Sequence, residues 1–336
     1  MDEKHPAADL ASRRRVFRFA PSPNGLLHLG HAYSALLNFA LARENNGRFL
    51  LRIEDIDVLR ARPEYEAAIY EDLAWLGLDW ERPVRRQSEH FADYAAALER
   101  LDALGLVYPC ACTRGEIAKA AGENQPRDPD GAPLYPGTCR GKPRGHLREI
   151  LQVGGFALRL DMAKALALLE RIPQKMTDFC DQNSLQLDFG AISSRSNDTV
   201  RAESALGAEA QALSWREQAE GEIAANPKRW GDVVLARKDT PASYHLAVVV
   251  DDALQGVTDV VRGADLKPAT GLHRLLQRLL GLPAPSYRHH ALLLCAEGEK
   301  LSKSRSSPTL RDLRAQGVSA AAVREAAGLG DPVKPR

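Results

Sequence analysis

An α/β fold built on a parallel sheet is predicted by three features of the chain. Residues 16–53 read as strand, loop, helix and strand. Helical periodicities alternate with short apolar runs again further along. The 336 residues can bury a large core and exceed one typical domain. The 45 Lys and Arg residues face 44 Asp and Glu, a formal net charge of +1, so nucleic acid would be held by a local patch and not by a field over the whole surface. No apolar run is long enough to span a membrane and Met1 to Leu10 is polar, so neither a membrane segment nor a secretory signal is expected, and the chain is placed in the cytoplasm.

Val16-Phe17-Arg18-Phe19 alternates apolar and basic residues as a half-buried strand does. Pro21, Pro23 and Asn24-Gly25 then force the chain into a loop. Ala35, Leu36, Phe39, Ala40 and Ala42 keep a helical spacing up to the stop signal Asn45-Asn46-Gly47, and Arg48 to Ile53 reads as a second strand. His28 and His31 stand at the start of this helix, three residues apart on one face, beside unpaired N–H groups that favour phosphate. Gly30 between them would let a flat ring approach the backbone. The pair suggests a nucleotide site; alone, such a pair is also read as a helix cap or a packing feature. Arg13-Arg14-Arg15 is taken as a solvated lead-in. Glu54, Asp55 and Asp57 cluster past the second strand, where open α/β sheets bind ligands.

Pro63 opens a helix through Ile69, Leu73 and Leu76, and Phe91 to Leu104 forms another, so Tyr65, Tyr70, Trp75 and Trp80 are read as packing. Cys110-Ala111-Cys112 and, across a proline-rich loop, Cys139 could hold one metal. In a reduced compartment thiolate ligation of Zn²⁺ is better chemistry than a strained disulfide, with small buried cysteines as the alternative. Cys180 and Cys295 are read as core residues. Ala163 to Leu169 suggests a short helix before a polar stretch without sustained period. Gly231 to Lys238 reads as a strand opening the second half of the sheet, and Ala247 to Val250 as a buried segment. Thr270 to Leu280 is an amphipathic helix stopped by Gly281, and Ala291 to Cys295 a strand leading to Lys300-Leu301-Ser302-Lys303-Ser304.

That last motif alone is an ordinary basic, serine-rich loop. With His28-Leu29-Gly30-His31 it resembles the two signatures of class I aminoacyl-tRNA synthetases, usually written HIGH and KMSKS, leucine replacing the second residue of each. Arg18 to Gly25, Arg52-Ile53-Glu54-Asp55-Ile56-Asp57 and Tyr244 to Asp252 resemble the glutamyl branch. The resemblance implies a Rossmann-type class I synthetase catalytic domain with a parallel sheet that uses glutamate and ATP with Mg²⁺. It implies His28, His31 and Lys303 as catalytic residues, with His28, Gly30, His31, Lys300 and Lys303 around ATP and Lys303 stabilising phosphate charge in the transition state. Around glutamate it implies Arg18, Phe19, Ala20, Pro21, Ser22, Glu54, Tyr244 and Arg262. Glu54 would face the ammonium, and a bidentate Arg262, helped by Arg18, would read the side-chain carboxylate. It further implies Tyr135 as fourth ligand, with Cys110, Cys112 and Cys139, of one structural Zn²⁺.

The expected layout is a first half of the nucleotide-binding domain over 1–109, a zinc-binding insertion over 110–160 and a polar insertion over 161–229. A second half follows over 230–295, then the KLSKS loop and a short C-terminal helical segment over 296–336. Glutamyl-tRNA synthetases carry a long anticodon-binding domain after that loop. The short glutamyl-Q tRNA(Asp) synthetase family ends much as this chain does and attaches glutamate to queuosine in the anticodon loop of tRNA(Asp). The expectation is therefore a monomer without an anticodon-binding domain whose partner is that anticodon loop. The alternatives are a truncated glutamyl-tRNA synthetase charging a tRNA 3′ end and a catalytically silent tRNA-binding homologue.

Overall fold

A computed structural model describes residues 14–122, 126–142, 147, 155–171, 213–293 and 308–329. The first half comprises β1 (Val16–Phe19), α1 (Leu29–Glu44), β2 (Arg48–Ile53), α2 (Pro63–Trp75), β3 (Glu81–Arg86) and α3 (Phe91–Ala103). Next come β4 (Val107–Cys110), α4 (Arg114–Ala121), β5 (Ala157–Leu160), α5 (Met162–Leu169), the hairpin β6 (Ser214–Glu217) and β7 (Gly221–Ala224), and β8 (Val234–Ala236). The second half contains α6 (Tyr244–Leu254), β9 (Asp259–Gly263), α7 (Thr270–Leu280) and β10 (Ser286–His290). Two short helices, α8 (Leu310–Ala315) and α9 (Ala320–Ala326), follow.

Seven strands form the main sheet in the order β3-β2-β1-β9-β10-β6-β7, parallel except for the β6–β7 hairpin. β1 is central, and its four residues are all buried, Arg18 included at 5% exposure. The half-buried strand read from the alternation is thus buried on both faces, as parallel strands under helices are. One apolar cluster lies between α1, α2 and the first three strands, and a larger one gathers α3, α6 and α7 against the small sheet.

Several elements differ from the sequence reading. The strand within 231–238 does not open the second half of the main sheet; β8 pairs antiparallel with β5 in a separate three-stranded sheet β4-β5-β8. Ala247–Val250 lies inside helix α6, whose N-cap Ser243 accepts a hydrogen bond from the Leu246 amide; a helix buried on all sides shows no stripe. Among the described residues the last parallel strand is Ser286–His290, upstream of the predicted 291–295, of which 294 and 295 lie outside the described residues; two histidines and an arginine mask its β character. Within 161–229, α5 matches the short helix, and β6 and β7 extend the main sheet edge, with Trp215 buried against Tyr287 and Val260. Cys180 and Cys295 lie outside the described residues. Among the described residues no helix is long and apolar enough to cross a membrane.

Candidate active site

From β1 the sheet runs through β2 and β3 on one side and through β9 and β10 on the other, so β1 and β9 flank the point where strand order reverses. Open α/β sheets bind ligands in the crevice outside the carboxyl ends of such strands. A cavity of about 560 Å³ opens there. Arg18, Phe19, Ala20, Pro21, Ser22, His28, Gly30, His31, Glu54, Tyr244 and Arg262 all line it. Residues from opposite ends of the catalytic fold, from Arg18 to Leu293, therefore meet in one space. Lys300 and Lys303 lie outside the described residues. On one side of them Leu293 lines the cavity, and on the other Thr309 bridges to His28 while the Leu310 amide donates to the Leu27 carbonyl at 2.8 Å.

His28 is the N-cap of α1. Its Nδ1 accepts from the Gly30 amide at 3.1 Å, and the His31 Nδ1 accepts from the His28 amide at 3.2 Å, a capping box made of two imidazoles. Both Nδ1 atoms act as acceptors, so each ring carries its proton on Nε2 and keeps that N–H as a donor. The rings lie 3.9 Å apart. Capping and lining the cavity are here two ends of the same side chains. Gly30 leaves the His28 ring in place: a Cβ at that position would sit 3.0 Å from the His28 Cε1 and the ring would have to give by a few tenths of an ångström.

Arg262, on β9, is buried and held by neutral groups. Its Nε donates to His289 Nε2 at 3.2 Å, Nη1 to Tyr244 Oη at 3.4 Å and to His273 Nδ1 at 3.2 Å, and Nη2 to Thr270 Oγ1 at 2.9 Å. Each histidine accepts from the guanidinium on one nitrogen and can donate from the other. His289 Nδ1 faces Glu217 Oε2 at 2.7 Å, and His273 Nε2 faces His245 Nδ1 at 3.1 Å. Burial, then Arg262, holds the His289 imidazole down at about 4 and pushes His273 well below its ordinary value. Among the described residues no carboxylate lies within ion-pair distance of Arg262, although it is 5% exposed. A buried cation surrounded by neutral acceptors is a place for an anion to bind.

Arg18 is differently placed. Its Nε and Nη2 contact Asp252 at 3.1 and 3.3 Å. The fully buried Arg52 joins Asp252 at 2.7 Å and Glu54 at 3.1 Å. Burial raises the Glu54 carboxyl above its ordinary value, with Arg52 and Arg18 pulling the other way. Asp251 receives Arg85, Gln87 and Tyr94. In the sequence Asp251 and Asp252 stand only as polar groups beside a buried segment, and His273, Thr270, His289 and Glu217 carry no site assignment. Two adjacent acidic residues in an otherwise apolar helical run were the available signal. Glu217 had none, lying in a stretch without period.

At the end of β4 the Cys110, Cys112 and Cys139 sulfurs all lie within 4.8 Å of one another, Cys112 and Cys139 at 3.6 Å. Tyr135 Oη is 3.3 Å from the Cys110 Sγ and 3.6 Å from that of Cys112. A tetrahedral ion with Zn–S of about 2.3 Å and Zn–O of about 2.0 Å requires S···S near 3.8 Å and S···O near 3.5 Å. The Cys112–Cys139 distance of 3.6 Å and the Tyr135 distances of 3.3 and 3.6 Å agree with such an ion. Tyr135 Oη also accepts the Cys139 amide at 2.8 Å, and the Arg159 guanidinium lies 3.9 Å over the Tyr135 ring; burial, then the three cysteines, nonetheless hold the phenol above its ordinary value, so a bound cation would have to draw off its proton.

The family of class I tRNA synthetases (E and Q), catalytic domain, matches residues 15–164 and 181–329. Over 317 residues the chain is 43% identical to a glutamyl-Q tRNA(Asp) synthetase of Rhodobacter capsulatus, covering 94% of this chain and 100% of that one. It is 35% identical to a glutamate–tRNA ligase of Aquifex aeolicus over 89% of this chain and 54% of that one. The crystal structure of glutamate–tRNA synthetase from Elizabethkingia anophelis superposes with a TM-score of 0.61 at 25% identity, over 91% of this chain and 54% of its own. The chain thus spans about half the length of the two glutamate enzymes and the whole length of the Rhodobacter protein. With two signature histidines at the switch-point cavity and a family match along most of its length, the chain belongs to the class I tRNA synthetases, in the catalytic-domain family of the E and Q enzymes.

Proposed function

We propose that this ligase activates glutamate with ATP and transfers it to the queuosine base in the anticodon loop of tRNA(Asp). One observation carries the activation step: a single cavity joins a histidine-capped helix start, a carboxylate at Glu54 and a guanidinium at Arg262 that lacks an acidic partner among the described residues. Glu54 meets the substrate ammonium. Four of the five Arg262 N–H groups are already engaged, so the substrate side-chain carboxylate takes the fifth, with the Tyr244 hydroxyl as its second donor. This replaces a fully bidentate arginine by an arginine–tyrosine pair. The α-carboxylate oxygen attacks the α-phosphorus of ATP, the bond to the bridging oxygen breaks, and pyrophosphate leaves with Mg²⁺. His28 and His31 donate their Nε2–H groups to phosphate oxygens, and Lys303 supplies positive charge to the transition state, as the family resemblance implies.

The names of two relatives support this acceptor. The Rhodobacter protein, matched along its full length, and a Nitratidesulfovibrio vulgaris protein at 40% identity both bear the name glutamyl-Q tRNA(Asp) synthetase. One structural zinc held by Cys110, Cys112, Tyr135 and Cys139 completes the reading; four protein ligands leave it no open position for a reacting water. Such an enzyme works where tRNA is, in the cytoplasm. The test supplies labelled glutamate and ATP with tRNA(Asp) bearing or lacking queuosine, and with tRNA(Glu). Label is expected on queuosine-bearing tRNA(Asp) alone and is expected to survive a blocked 3′ terminus. Label that disappears when only the 3′ end is blocked refutes the acceptor. Absence of glutamate-dependent pyrophosphate exchange into ATP refutes activation.

A further inference from the structure

The hairpin β6–β7 closes one edge of the main sheet and gives no residue to the cavity lining, yet one of its carboxylates, Glu217, is turned inward with its side chain 2% exposed. Among the described residues no lysine or arginine lies within ion-pair distance of it, so a structural ion pair does not account for its burial. Three donors meet it instead. Its Oε1 accepts the His289 amide at 2.9 Å, and its Oε2 accepts from the His289 Nδ1 at 2.7 Å and from the Trp215 indole N–H at 3.4 Å. The hairpin is pinned at this point: the Gln218 amide donates to the Tyr287 carbonyl at 2.8 Å, and its side-chain amide donates to Asp259 at 2.9 Å. The other imidazole nitrogen, His289 Nε2, lies 3.2 Å from the Arg262 Nε and 3.2 Å from the Thr270 Oγ1. An arginine N–H only donates, so Nε2 is the acceptor and the imidazole proton sits on Nδ1, toward Glu217. Every proton from Arg262 through His289 to Glu217 then points one way, and a buried anion meets a buried cation at one imidazole's remove. A carboxylate bound directly to Arg262 would occupy the N–H that a substrate carboxylate needs.

We infer that Glu217 is a positioning residue for the amino-acid end of the cavity. It fixes the tautomer and the orientation of His289, and His289 with Thr270 fixes the plane of the Arg262 guanidinium, so that the remaining N–H meets the substrate's side-chain carboxylate. The inference rests on the glutamate reading of Arg262 above. The isosteric change Glu217→Gln separates this role from mere filling of space, because a carboxylate accepts on both oxygens and an amide accepts on one and donates on the other. With the amide oxygen toward the His289 Nδ1–H, the NH₂ meets the His289 backbone N–H, donor against donor. With the oxygen on that backbone N–H, the NH₂ donates to Nδ1, the imidazole proton moves to Nε2, and an N–H opposes the Arg262 Nε–H. In the first case His289 is pushed from its place; in the second the guanidinium loses an acceptor. Both turn the Arg262 plane.

The experiment uses the full chain, unaltered and as Glu217→Gln and Ile223→Ala. The second variant loosens the hairpin opposite Trp215 without touching the carboxylate. Glutamate-dependent pyrophosphate exchange gives KM for glutamate, KM for ATP and the maximal rate, and nitrogen NMR of histidine-labelled protein gives the His289 tautomer. The His289 proton is expected on Nδ1 in the unaltered protein. Glu217→Gln is expected to raise KM for glutamate about tenfold while the maximal rate and KM for ATP stay within about twofold. Ile223→Ala is expected to lower Tm and to leave KM for glutamate within about twofold. A Glu217→Gln protein with an unaltered KM for glutamate overturns this proposal alone. So does an Ile223→Ala protein whose KM for glutamate rises as far as that of Glu217→Gln, or a His289 proton on Nε2 in the unaltered protein. The tautomer needs no variant, so it decides the matter even where Glu217→Gln does not fold. An unaltered protein without glutamate-dependent exchange overturns the activation reading and this role for Glu217 with it.

Discussion

Replacing Arg262 is the most direct test of how the cavity reads its substrate. The guanidinium has five N–H groups, and four are fixed by His289, Tyr244, His273 and Thr270. Arg262→Ala removes one hydrogen bond between charged partners, worth about 1.5–3 kcal/mol, together with the orientation of Tyr244. At about 1.4 kcal/mol per factor of ten, kcat/KM for glutamate falls at least about ten- to hundredfold. Arg262→Lys keeps the charge but offers three donors on one atom, too few and too close together to hold the acceptors in place, so it recovers only part of the loss. The assay is glutamate-dependent pyrophosphate exchange over a range of glutamate concentrations, with KM for ATP as internal control. A variant whose glutamate kcat/KM stays within threefold of the unaltered protein, or whose defect lies in ATP binding, refutes the assignment.

Gly30→Ala brings a Cβ to 3.0 Å from the His28 Cε1, so the ring shifts by a few tenths of an ångström and KM for ATP rises; unchanged ATP kinetics count against the histidine assignment. Metal analysis finds about one zinc per chain, and a Cys110→Ala, Cys112→Ala protein that stays folded and active without metal refutes the site. His245 is held at about 4 against an ordinary 6.5, first by burial and then by Arg262 and Arg237. With the folded value below the unfolded one, the stabilisation is fully present above pH 6.5 and is lost as pH falls through 4, about 3 kcal/mol in all. Denaturation midpoints followed from pH 7 to 4 show this slope, and His245→Gln flattens it; an equal slope in both proteins refutes the role.

What was legible in the sequence was whatever local periodicity or a motif could carry. β1, β2 and α7 fall where apolar spacing and the stop residues Asn45-Asn46-Gly47 and Gly281 place them, since these signals are complete within one element. The residues named around glutamate converge on one cavity because a family motif records positions that only the fold brings together. Partners supplied by pairing across the sheet were not legible. β8 reads as one more apolar strand, and nothing in Val234–Ala236 says whether it joins β5 or the main sheet. Glu217 reaches His289 only because an unremarkable Ser-Trp-Arg-Glu hairpin strand lies beside β10. The electrostatic surroundings of Arg262 are therefore a property of strand order.

The same convergence explains how two halves separated by more than a hundred residues keep one cavity in register. Arg18 from β1, Arg52 from β2 and Arg85 from β3 all reach across to the adjacent pair Asp251 and Asp252 on α6. Burial would raise the Asp252 carboxyl, but Arg18 and Arg52 bring it below its ordinary value, so it is an anion at neutral pH. Buried ion pairs add little net stability over apolar residues of the same size, whereas removing one partner strands the others at a cost of about 3–5 kcal/mol. Their consequence here is registry: Arg18 and Glu54, held through Arg52 and Asp252, stand at a fixed position relative to Arg262. Asp252→Ala should therefore lower stability by about 3–5 kcal/mol and impair glutamate activation. Asp252→Asn, which still accepts a hydrogen bond, should cost less stability yet still raise KM for glutamate, because Arg18 and Arg52 lose their shared counter-charge and draw on Glu54. Denaturant titrations and exchange kinetics on the two variants separate these effects. If Asp252→Asn matches the unaltered protein in KM for glutamate while losing stability, the pair serves the core alone and the registry argument fails.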